Sequence, residues 1–435
     1  MEVRDIDIIS LGCSKNLCDS ELLMGRLEAA GFVCHHDPQT PSAPILIINT
    51  CGFIGDAKEE SIHTILAQAQ RKKARKNRLE RLYVMGCLSQ RYLSELQVEI
   101  PEVDGWFGKF DFLGILERIE MPKTVKKPAF IRKLTTPSHY AYLKISEGCN
   151  RMCSYCAIPL ITGRHQSRRM EDILDEAKWL RDCGVKELNI IAQDLSSYGT
   201  DLYQNHKLPE LIDQISRIDG IEWIRLHYAY PTDFPLPILD IIATNPKVCK
   251  YLDIALQHCT DHMLSQMRRH ISQAEQDALI ALIREKVPGI CLRTTLMVGH
   301  PGETEEDFEA LKDWTRKMQF DRMGAFAYSE EEGTYAAQHY KDDIPDAVKQ
   351  QRLSELMDIQ QDISAKLMAA KVGQTLRVII DRQENDWFIG RTEFDSPEVD
   401  CEVLVPAAQN RLEIGNFYTI KITKAEEFDL YGQLC

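Results

Sequence analysis

Features that would place the chain in a membrane or outside the cell are missing from the sequence. No apolar run approaches the roughly 20 residues that a membrane-spanning helix needs. The first residues, Met1 to Asp7, are charged and carry no apolar signal-peptide core. Internal repeats and low-complexity tracts are also lacking, so a solenoid is not expected. We therefore expect a cytoplasmic, globular protein that does not enter a membrane.

An excess of positive charge is missing as well. The 52 lysines and arginines face 66 acidic residues, which gives a formal net charge of −14. Proteins that coat nucleic acid need basic surface to neutralise phosphate, so this balance argues against a broad nucleic-acid-binding surface. An acidic protein is instead suited to a partner that is itself basic.

Cysteine, by contrast, is abundant. The 435 residues include fourteen cysteines, and the hydrophobic fraction of 44% is enough for several packed cores. A chain of this length predicts about three domains. In a large cytoplasmic chain, cysteines indicate metal or redox chemistry more than disulfides.

The hydrophobic pattern divides the chain into three parts. Short apolar strands at residues 6–11, 45–48 and 82–85 alternate with helical patterns, which predicts a parallel α/β sheet. From residue 140, six further strand–helix units predict a partial (β/α)6 barrel, with its chemistry at the strand carboxyl ends. Four short strands after residue 372 predict a small antiparallel β-barrel. We expect boundaries at 1–121, 122–139 for a charged linker, 140–371 and 372–435.

One cysteine motif stands where the first strand of the predicted (β/α)6 barrel ends. Cys149, Cys153 and Cys156 form a C-x3-C-x2-C pattern, a spacing that chance gives in about one chain in a hundred at this cysteine content. Three thiolates hold a [4Fe–4S] cluster with one iron left open, the arrangement that radical S-adenosylmethionine (SAM) enzymes use to bind and cleave SAM. A zinc site is the competing interpretation, although zinc usually takes four protein ligands.

Three further cysteines each follow a predicted strand of the first sheet. Cys13, Cys51 and Cys87 lie far apart in sequence, but the carboxyl ends of parallel strands meet at one edge. Buried cysteines are common core residues, and one alone would carry no information. Three in the same topological position indicate an auxiliary three-thiolate [4Fe–4S] cluster.

These cysteines stand within segments that resemble the methylthiotransferase family of radical SAM enzymes over essentially the whole chain. The segments are SLGCSKN at 10–16, NTCGFI at 49–54, AKEES at 57–61, MGC at 85–87, AQD at 192–194, LQH at 256–258, RTTLMVG at 293–299, PGET at 301–304 and YSEEEGT at 328–334. The terminal barrel is similar to the family's TRAM domain, its substrate-recognition module. Ala255, His300 and Cys18 depart from the residues usual at their positions, and none of the three is a predicted cluster ligand.

Lys15, Asn16 and the sequence after Cys51 resemble the RimO branch of the family. This resemblance implies transfer of a methylthio group to the β-carbon of an aspartate in small-subunit ribosomal protein S-twelve, free or within the small ribosomal subunit. It also implies SAM, two [4Fe–4S] clusters, and external sulfur and electron donors. We expect a monomer, with no catalytic residue beyond the cluster ligands. The alternatives are a tRNA adenosine methylthiotransferase of the MiaB branch and a non-catalytic Fe–S protein that binds RNA or carries electrons.

Four residues are candidates for SAM contact. Tyr155 lies inside the cysteine motif, Arg168 follows it, and Glu187 and Gln193 flank the second strand of the predicted barrel. Each has an ordinary alternative: loop packing for Tyr155, a surface position for Arg168, and hydrogen bonding at the sheet ends for Glu187 and Gln193.

Two charged segments have opposite implications for the choice of substrate. Residues 373–435 carry twelve acidic and six basic side chains, a net charge near −6 that suits a basic ribosomal protein better than RNA. A basic block near the end of the second predicted helix points the other way, toward ribosomal RNA, or is simply a solvated helix end favoured by the helix dipole. The block consists of Arg71, Lys72, Lys73, Arg75, Lys76, Arg78 and Arg81.

Overall fold

The computed structural model describes residues 5–74, 78–119, 132–409 and 411–435. The chain forms three consecutive parts, each with its own hydrophobic core. Among the helices of these residues, none combines the length and the apolar character that crossing a bilayer requires.

The first part is a parallel sheet covered by helices. Its elements are β1 (Asp5–Ser10), α1 (Ser14–Ala29), β2 (Val33–His36), β3 (Ile45–Thr50), α2 (Gly55–Lys73), β4 (Arg81–Gly86), α3 (Cys87–Glu99), β5 (Gly105–Trp106) and α4 (Phe112–Arg118). All neighbours pair in parallel, in the order β2-β1-β3-β4-β5. Strand β3 is buried on both faces because it lies at the centre of this order. The predicted parallel α/β sheet is confirmed, with β2 and β5 as additional short strands.

The second part is a six-stranded parallel sheet with helices outside it. Its elements are β6 (Tyr140–Lys144), the small hairpin β7 (Ser146–Glu147) and β8 (Gln166–Ser167), α5 (Ile158–Thr162), α6 (Met170–Asp182), β9 (Glu187–Ile191), α7 (Leu208–Ser216), β10 (Trp223–Ala229), α8 (Pro237–Thr244), β11 (Val248–Ile254), α9 (Asp261–Gln266), α10 (Gln273–Lys286), β12 (Cys291–Val298), α11 (Glu305–Met318), β13 (Arg322–Ala327), α12 (Tyr335–His339) and α13 (Asp346–Ala369). The order β6-β9-β10-β11-β12-β13 follows the chain, as a partial (β/α)6 barrel requires.

Successive side chains of these strands point to opposite faces of the sheet. The inner, concave face is called the lumen below. Ile224 and Leu226 of β10 pack outward into the helix-covered core, so Arg225 and His227 point to the opposite side. On β12 and β13 the lumen-facing side chains remain partly open to solvent, and Phe326 is 53% exposed. The lumen is therefore accessible from its carboxyl-end side.

The third part is a closed five-stranded barrel. Its elements are β14 (Thr375–Glu384), β15 (Trp387–Thr392), β16 (Val403–Pro406), a single 3-10 turn (Ala407–Gln409), β17 (Phe417–Ala425) and β18 (Leu430–Leu434), and the strand order is β14-β15-β16-β18-β17. The small barrel is confirmed, but the expectation of purely antiparallel pairing is wrong, because β16 and β18 pair in parallel and close the barrel. Strand β18 was not among the four predicted strands.

The barrel docks on the amino ends of the second part's strands. Ile379 of β14 packs with Trp223, Tyr251 and Cys291, which lie at or near the starts of β10, β11 and β12. The buried pair of Arg322 with Asp395 fastens the same junction. Because this end is plugged, the carboxyl ends of the strands are left as the open side of the lumen.

The predicted linker is described only in its last part, residues 132–139. Residues 122–131 fall outside the described ranges, and the described remainder is firmly held. The Arg132 side chain is buried and pairs with Glu21 of α1 and Glu176 of α6. This stretch therefore connects the first and second parts through buried ion pairs.

The part of the basic block that lies in α2 makes local contacts. Arg75 and Lys76 lie outside the described residues. Lys72 pairs with Asp104, and Lys73 Nζ lies 2.5 Å from a carboxylate oxygen of Glu102. These pairs favour the interpretation as a helix end rather than an RNA-binding surface.

Candidate active site

The first cysteine triad lies at one edge of the N-terminal sheet. Cys13 precedes α1, Cys51 follows β3 directly, and Cys87 is the first residue of α3. Strands β1, β3 and β4 are parallel neighbours, so their carboxyl ends meet. The structure thus brings three residues that span 74 positions of sequence to one place.

Asn16 ties the three cysteine loops together. Its side-chain amide donates to the carbonyl oxygens of Leu11, at 3.1 Å, and Thr50, at 2.9 Å, while the Cys87 thiol donates to its oxygen at 3.4 Å. The loops also approach closely at Gly12, where a Cβ atom would lie 2.7 Å from the Cβ of Cys51. A side chain at Gly12 would therefore push the loops apart.

The second triad lies in the loop between β7 and α5. Arg151 fixes this loop to the carboxyl ends of two strands, because its guanidinium pairs with Asp194 at 2.9 Å and Asp233 at 3.0 Å. Gly148, in the turn before Cys149, has a φ of +77°, and a Cβ there would collide with the carbonyl oxygen of Arg164. Contacts within the protein thus fix the conformation of this loop.

A buried arginine faces this triad. Arg269 donates to the Cys153 sulfur and to the Tyr155 hydroxyl, each at 3.2 Å, and its guanidinium lies 4.1 Å from the centre of the Tyr230 ring. The Tyr230 hydroxyl is 3.4 Å from the Cys153 sulfur. Neither Arg269 nor Tyr230 belongs to a motif singled out in the sequence, and only the fold brings them to the cysteines.

The chemistry of both triads fits iron–sulfur ligation. Burial raises the pKa of Cys87 and of Cys149 to about 12, so a strongly cationic partner such as iron is needed to hold them as thiolates. Within the described ranges, no three His, Cys, Asp or Glu side chains converge on a point that suits a single metal ion. A four-iron cluster is larger than one ion and spreads its thiolates over separate iron atoms.

Two of the four candidate SAM residues lie beside the second triad. Tyr155 stays in the loop, where its hydroxyl accepts from Arg269 and its ring meets the edge of His300. Gln193 follows β9 at the carboxyl end, and its amide nitrogen donates to Glu147. The Gln193 side-chain oxygen is buried and has no partner among the described residues, so an acceptor remains free there.

The structure does not bring Glu187 to this place, which corrects the expectation that it contacts SAM. Glu187 begins β9, at the end of the strand opposite the cysteine loop, and is fully buried. Its carboxylate pairs with Arg225 at 2.9 Å and with Arg391 of the terminal barrel at 2.8 Å. The side chain is thus committed to the contact between two parts of the protein.

Arg168 follows the second triad in sequence, but its contacts are with other residues. Its guanidinium donates to the Lys144 carbonyl and pairs with Glu176 at 2.7 Å. It lines a cavity of about 520 Å³ between α1 and the end of β6, and none of the six cysteines is among the residues that line this cavity. Its partners favour a structural role.

The segments that carry the two triads meet at a contact between α3 and α5. Cys87, the first residue of α3, packs against Ala157 and Ile161, which follow Cys156 closely. Farther out, buried Glu331 accepts from Lys58 and Arg91, both at 2.8 Å, and so joins α2 and α3 to the loop after β13. Glu331, in the 328–334 segment, thus helps to hold the N-terminal part over the lumen.

His300, one of the departures from the family pattern, is explained by packing. Its Nε2 lies 3.0 Å from the Ser154 hydroxyl, and burial lowers its pKa to about 4. A neutral imidazole therefore supports the cysteine loop from the β12 side.

Comparisons with known proteins agree with this division of the chain. Residues 5–108 match the uncharacterized protein family UPF0004, residues 143–315 the radical SAM superfamily, and residues 372–435 the TRAM domain. Three relatives, from Bacteroides thetaiotaomicron, Porphyromonas gingivalis (strain ATCC 33277) and Flavobacterium johnsoniae, are 61%, 55% and 50% identical, each over all 435 residues and 98% or more of the relative. Each is described as the ribosomal protein uS12 methylthiotransferase RimO.

Solved structures share the fold at much lower identity. The radical SAM methyltransferase TsrM from Kitasatospora setae, with cobalamin and a [4Fe–4S] cluster bound, has a TM-score of 0.56. It is 15% identical, and the match covers 77% of each chain. This likeness concerns the fold alone.

Proposed function

The chain belongs to the RimO family of radical SAM methylthiotransferases, and from this premise we propose that it adds a methylthio group to the β-carbon of an aspartate in ribosomal protein uS12, the small-subunit protein S-twelve. The observation that carries the proposal is the contact of α3 with α5, which brings Cys87 of one triad against the helix that follows Cys156 of the other. Sulfur insertion needs a radical generator and a sulfur carrier close together, and this arrangement provides a place for both.

Cys149, Cys153 and Cys156 would hold the radical SAM cluster, and Cys13, Cys51 and Cys87 an auxiliary one. When bound, the first supplies the electron that cleaves SAM to a 5′-deoxyadenosyl radical, and the second holds the sulfur to be transferred. The chain's own residues do the positioning: Arg151 fixes the loop, Arg269 places positive charge at Cys153, and the free oxygen of Gln193 offers an acceptor for the SAM ammonium.

Iron content tests the pair of clusters. Two four-iron centres give about eight iron atoms per chain after anaerobic reconstitution. We expect Cys13→Ala to hold about four and still release 5′-deoxyadenosine, whereas Cys153→Ala holds about four and releases none. A wild-type value of about four, unchanged in Cys13→Ala, would reject the auxiliary cluster.

The charge of the terminal barrel contributes less to substrate choice than the sequence implies. Five of its twelve acidic residues direct their carboxylates to the linker or the second part of the protein: Asp381, Glu393, Asp395, Glu398 and Asp400. Among the described barrel residues, six acidic and four basic side chains are exposed. The choice of uS12 over tRNA therefore rests on the full-length relatives and not on charge.

The substrate experiment compares the two candidates directly. The reconstituted protein is incubated with SAM, a reductant and sulfide, together with either a uS12 peptide that contains the target aspartate or unmodified tRNA, and products are analysed by mass spectrometry. The mass gain of a methylthio group on the peptide supports the proposal. The same gain on tRNA alone would assign the chain to the tRNA branch, and a protein that forms no 5′-deoxyadenosine would be a binding or electron-transfer protein.

The remaining proposals concern organisation. We propose an N-terminal domain at 1–121, a linker at 122–139, a radical SAM domain at 140–371 and a TRAM-like barrel at 372–435, which contain the three matched ranges. We also propose a cytoplasmic monomer that takes sulfur and electrons from external donors and meets uS12 alone or in the small ribosomal subunit.

A further inference from the structure

A buried lysine faces the lumen from the N-terminal domain. Lys15, in the first turn of α1, is only 9% exposed, and its ammonium lies 3.0 Å from the centre of the Tyr228 ring. The ring attracts the cation through its π face, but it supplies no negative charge. An ammonium so far removed from water is costly unless an anion accompanies it.

The nearby acids are committed to other cations. Asp19, one turn along α1, pairs with Lys144 and Lys109. Asp253 also attracts Lys15 from a distance, but its direct partners are Arg293, at 3.4 Å, and the backbone N–H of Tyr228, which donates to it. No carboxylate oxygen of the described residues forms an ion pair with the Lys15 ammonium within 4.0 Å, so a ligand carboxylate can contact the ammonium directly.

The contact of Lys15 with Tyr228 joins two segments that each contact one of the cysteine triads. Lys15 is two residues after Cys13, and Tyr228 is two residues before Tyr230, whose hydroxyl is 3.4 Å from the Cys153 sulfur. Asn16, the neighbour of Lys15, contacts Cys87. An anion bound to Lys15 would therefore lie beside the segments that contact both triads.

The Tyr228 backbone is strained where it meets Lys15. Its φ is +64°, in the left-handed region that a bulky residue rarely adopts, and the pairing of β10 with β11 shifts register across it. Bulges and strained residues are concentrated where a side chain must be re-aimed at a functional site. Here the irregularity directs the ring toward the lysine.

We propose that Lys15 binds the side-chain carboxylate of the substrate aspartate. The inference rests on the proposed function, and it assigns a residue that selects aspartate over asparagine. The reacting β-carbon is bonded directly to the carboxylate carbon. An ion pair between Lys15 and the carboxylate therefore also positions the β-carbon and its C–H bond. The carboxylate of SAM is the other source of the same chemistry, and the experiment below separates the two.

The experiment measures binding of two peptides without turnover. Fluorescein-labelled uS12 peptides with the target aspartate or with asparagine in its place are titrated into the reconstituted protein, and Kd is read from anisotropy. We expect the wild type to prefer the aspartate peptide by about ten- to a hundredfold, the range for a hydrogen bond between charged groups. Lys15→Gln should bind both peptides equally. Lys178→Gln, which removes an exposed lysine on α6, should keep the preference.

A second pair of variants guards against a folding defect. Tyr228→Phe keeps the aromatic face and should keep the aspartate preference, whereas Tyr228→Leu should weaken it. Iron content and melting temperature are checked for each variant.

The outcomes separate this inference from the proposed function. If the wild type modifies uS12 and Lys15→Gln still prefers aspartate, the assignment of Lys15 is wrong and the function stands. If Lys15→Gln loses affinity for SAM in equilibrium dialysis and retains the aspartate preference, the lysine holds SAM instead. If the wild type neither binds nor modifies the peptide but modifies tRNA, the proposed function itself fails.

Discussion

Replacing Glu187 by glutamine distinguishes a structural from a SAM-binding role for this residue. In the structure, Glu187 and Asp381 balance two buried guanidinium groups, those of Arg225 and Arg391. Glu187→Gln leaves one positive charge uncompensated and turns an amide N–H toward an arginine donor. Breaking a buried ion pair in this way costs about 3–5 kcal/mol.

That cost translates into a large shift of the melting temperature. A domain of this size loses roughly 2–4 °C per kcal/mol, so Glu187→Gln should melt roughly 6–20 °C below the wild type. Thermal unfolding is followed by circular dichroism under anaerobic conditions, and SAM affinity is measured by equilibrium dialysis at 10 °C, where the variant remains folded. SAM affinity should match that of the wild type.

A matched control is available on the surface. Glu210 pairs with Lys207 on α7 and is half exposed, so Glu210→Gln should shift the melting temperature by no more than about 2 °C. The reasoning would be refuted if Glu187→Gln melted with the wild type and bound SAM tenfold more weakly, because Glu187 would then belong to the SAM site.

Three further predictions address the triads and the docking of the barrel. Asn16→Ala removes the amide that joins the three N-terminal loops, and iron should fall from about eight toward about four per chain; full retention in an iron assay would contradict this role. Arg269→Met removes the donor to Cys153 and Tyr155 and should slow 5′-deoxyadenosine formation at least tenfold, about 1.4 kcal/mol, with partial recovery in Arg269→Lys; an unchanged rate would exclude it. Burial by itself would raise the pKa of Glu187 and Asp381, but Arg391 holds each below its ordinary value of 4.5 or 3.8. Stability from these groups is therefore complete above the unfolded pKa values and lost as pH falls through the folded ones. Urea midpoints of cluster-free protein should drop more steeply below about pH 4 in the wild type than in Glu187→Gln, and equal slopes would count against the network.

Local patterns were sufficient for much of the fold. Strands β3 and β4 are short apolar runs that end in a turn, and strand periodicity with the following helical pattern predicts them closely. Strands β2 and β5 escaped prediction because they are only four and two residues long and gain their order from neighbours. Strand β18 was missed because it is only five residues long and has a glycine at its centre, which weakens the strand pattern.

The sequence by itself determined the two cysteine triads. The spacing of Cys149, Cys153 and Cys156 is local. Cys13, Cys51 and Cys87 each follow a parallel strand, so their meeting follows from the topology of the sheet. Only the tertiary structure decided the roles of the charged residues. Glu187 meets Arg391, 204 positions away, and the lone ammonium of Lys15 meets Tyr228 of another domain. The electrostatic energy of a charged group depends on its partners and on how much water surrounds it. Both are determined only when the parts of the chain pack together.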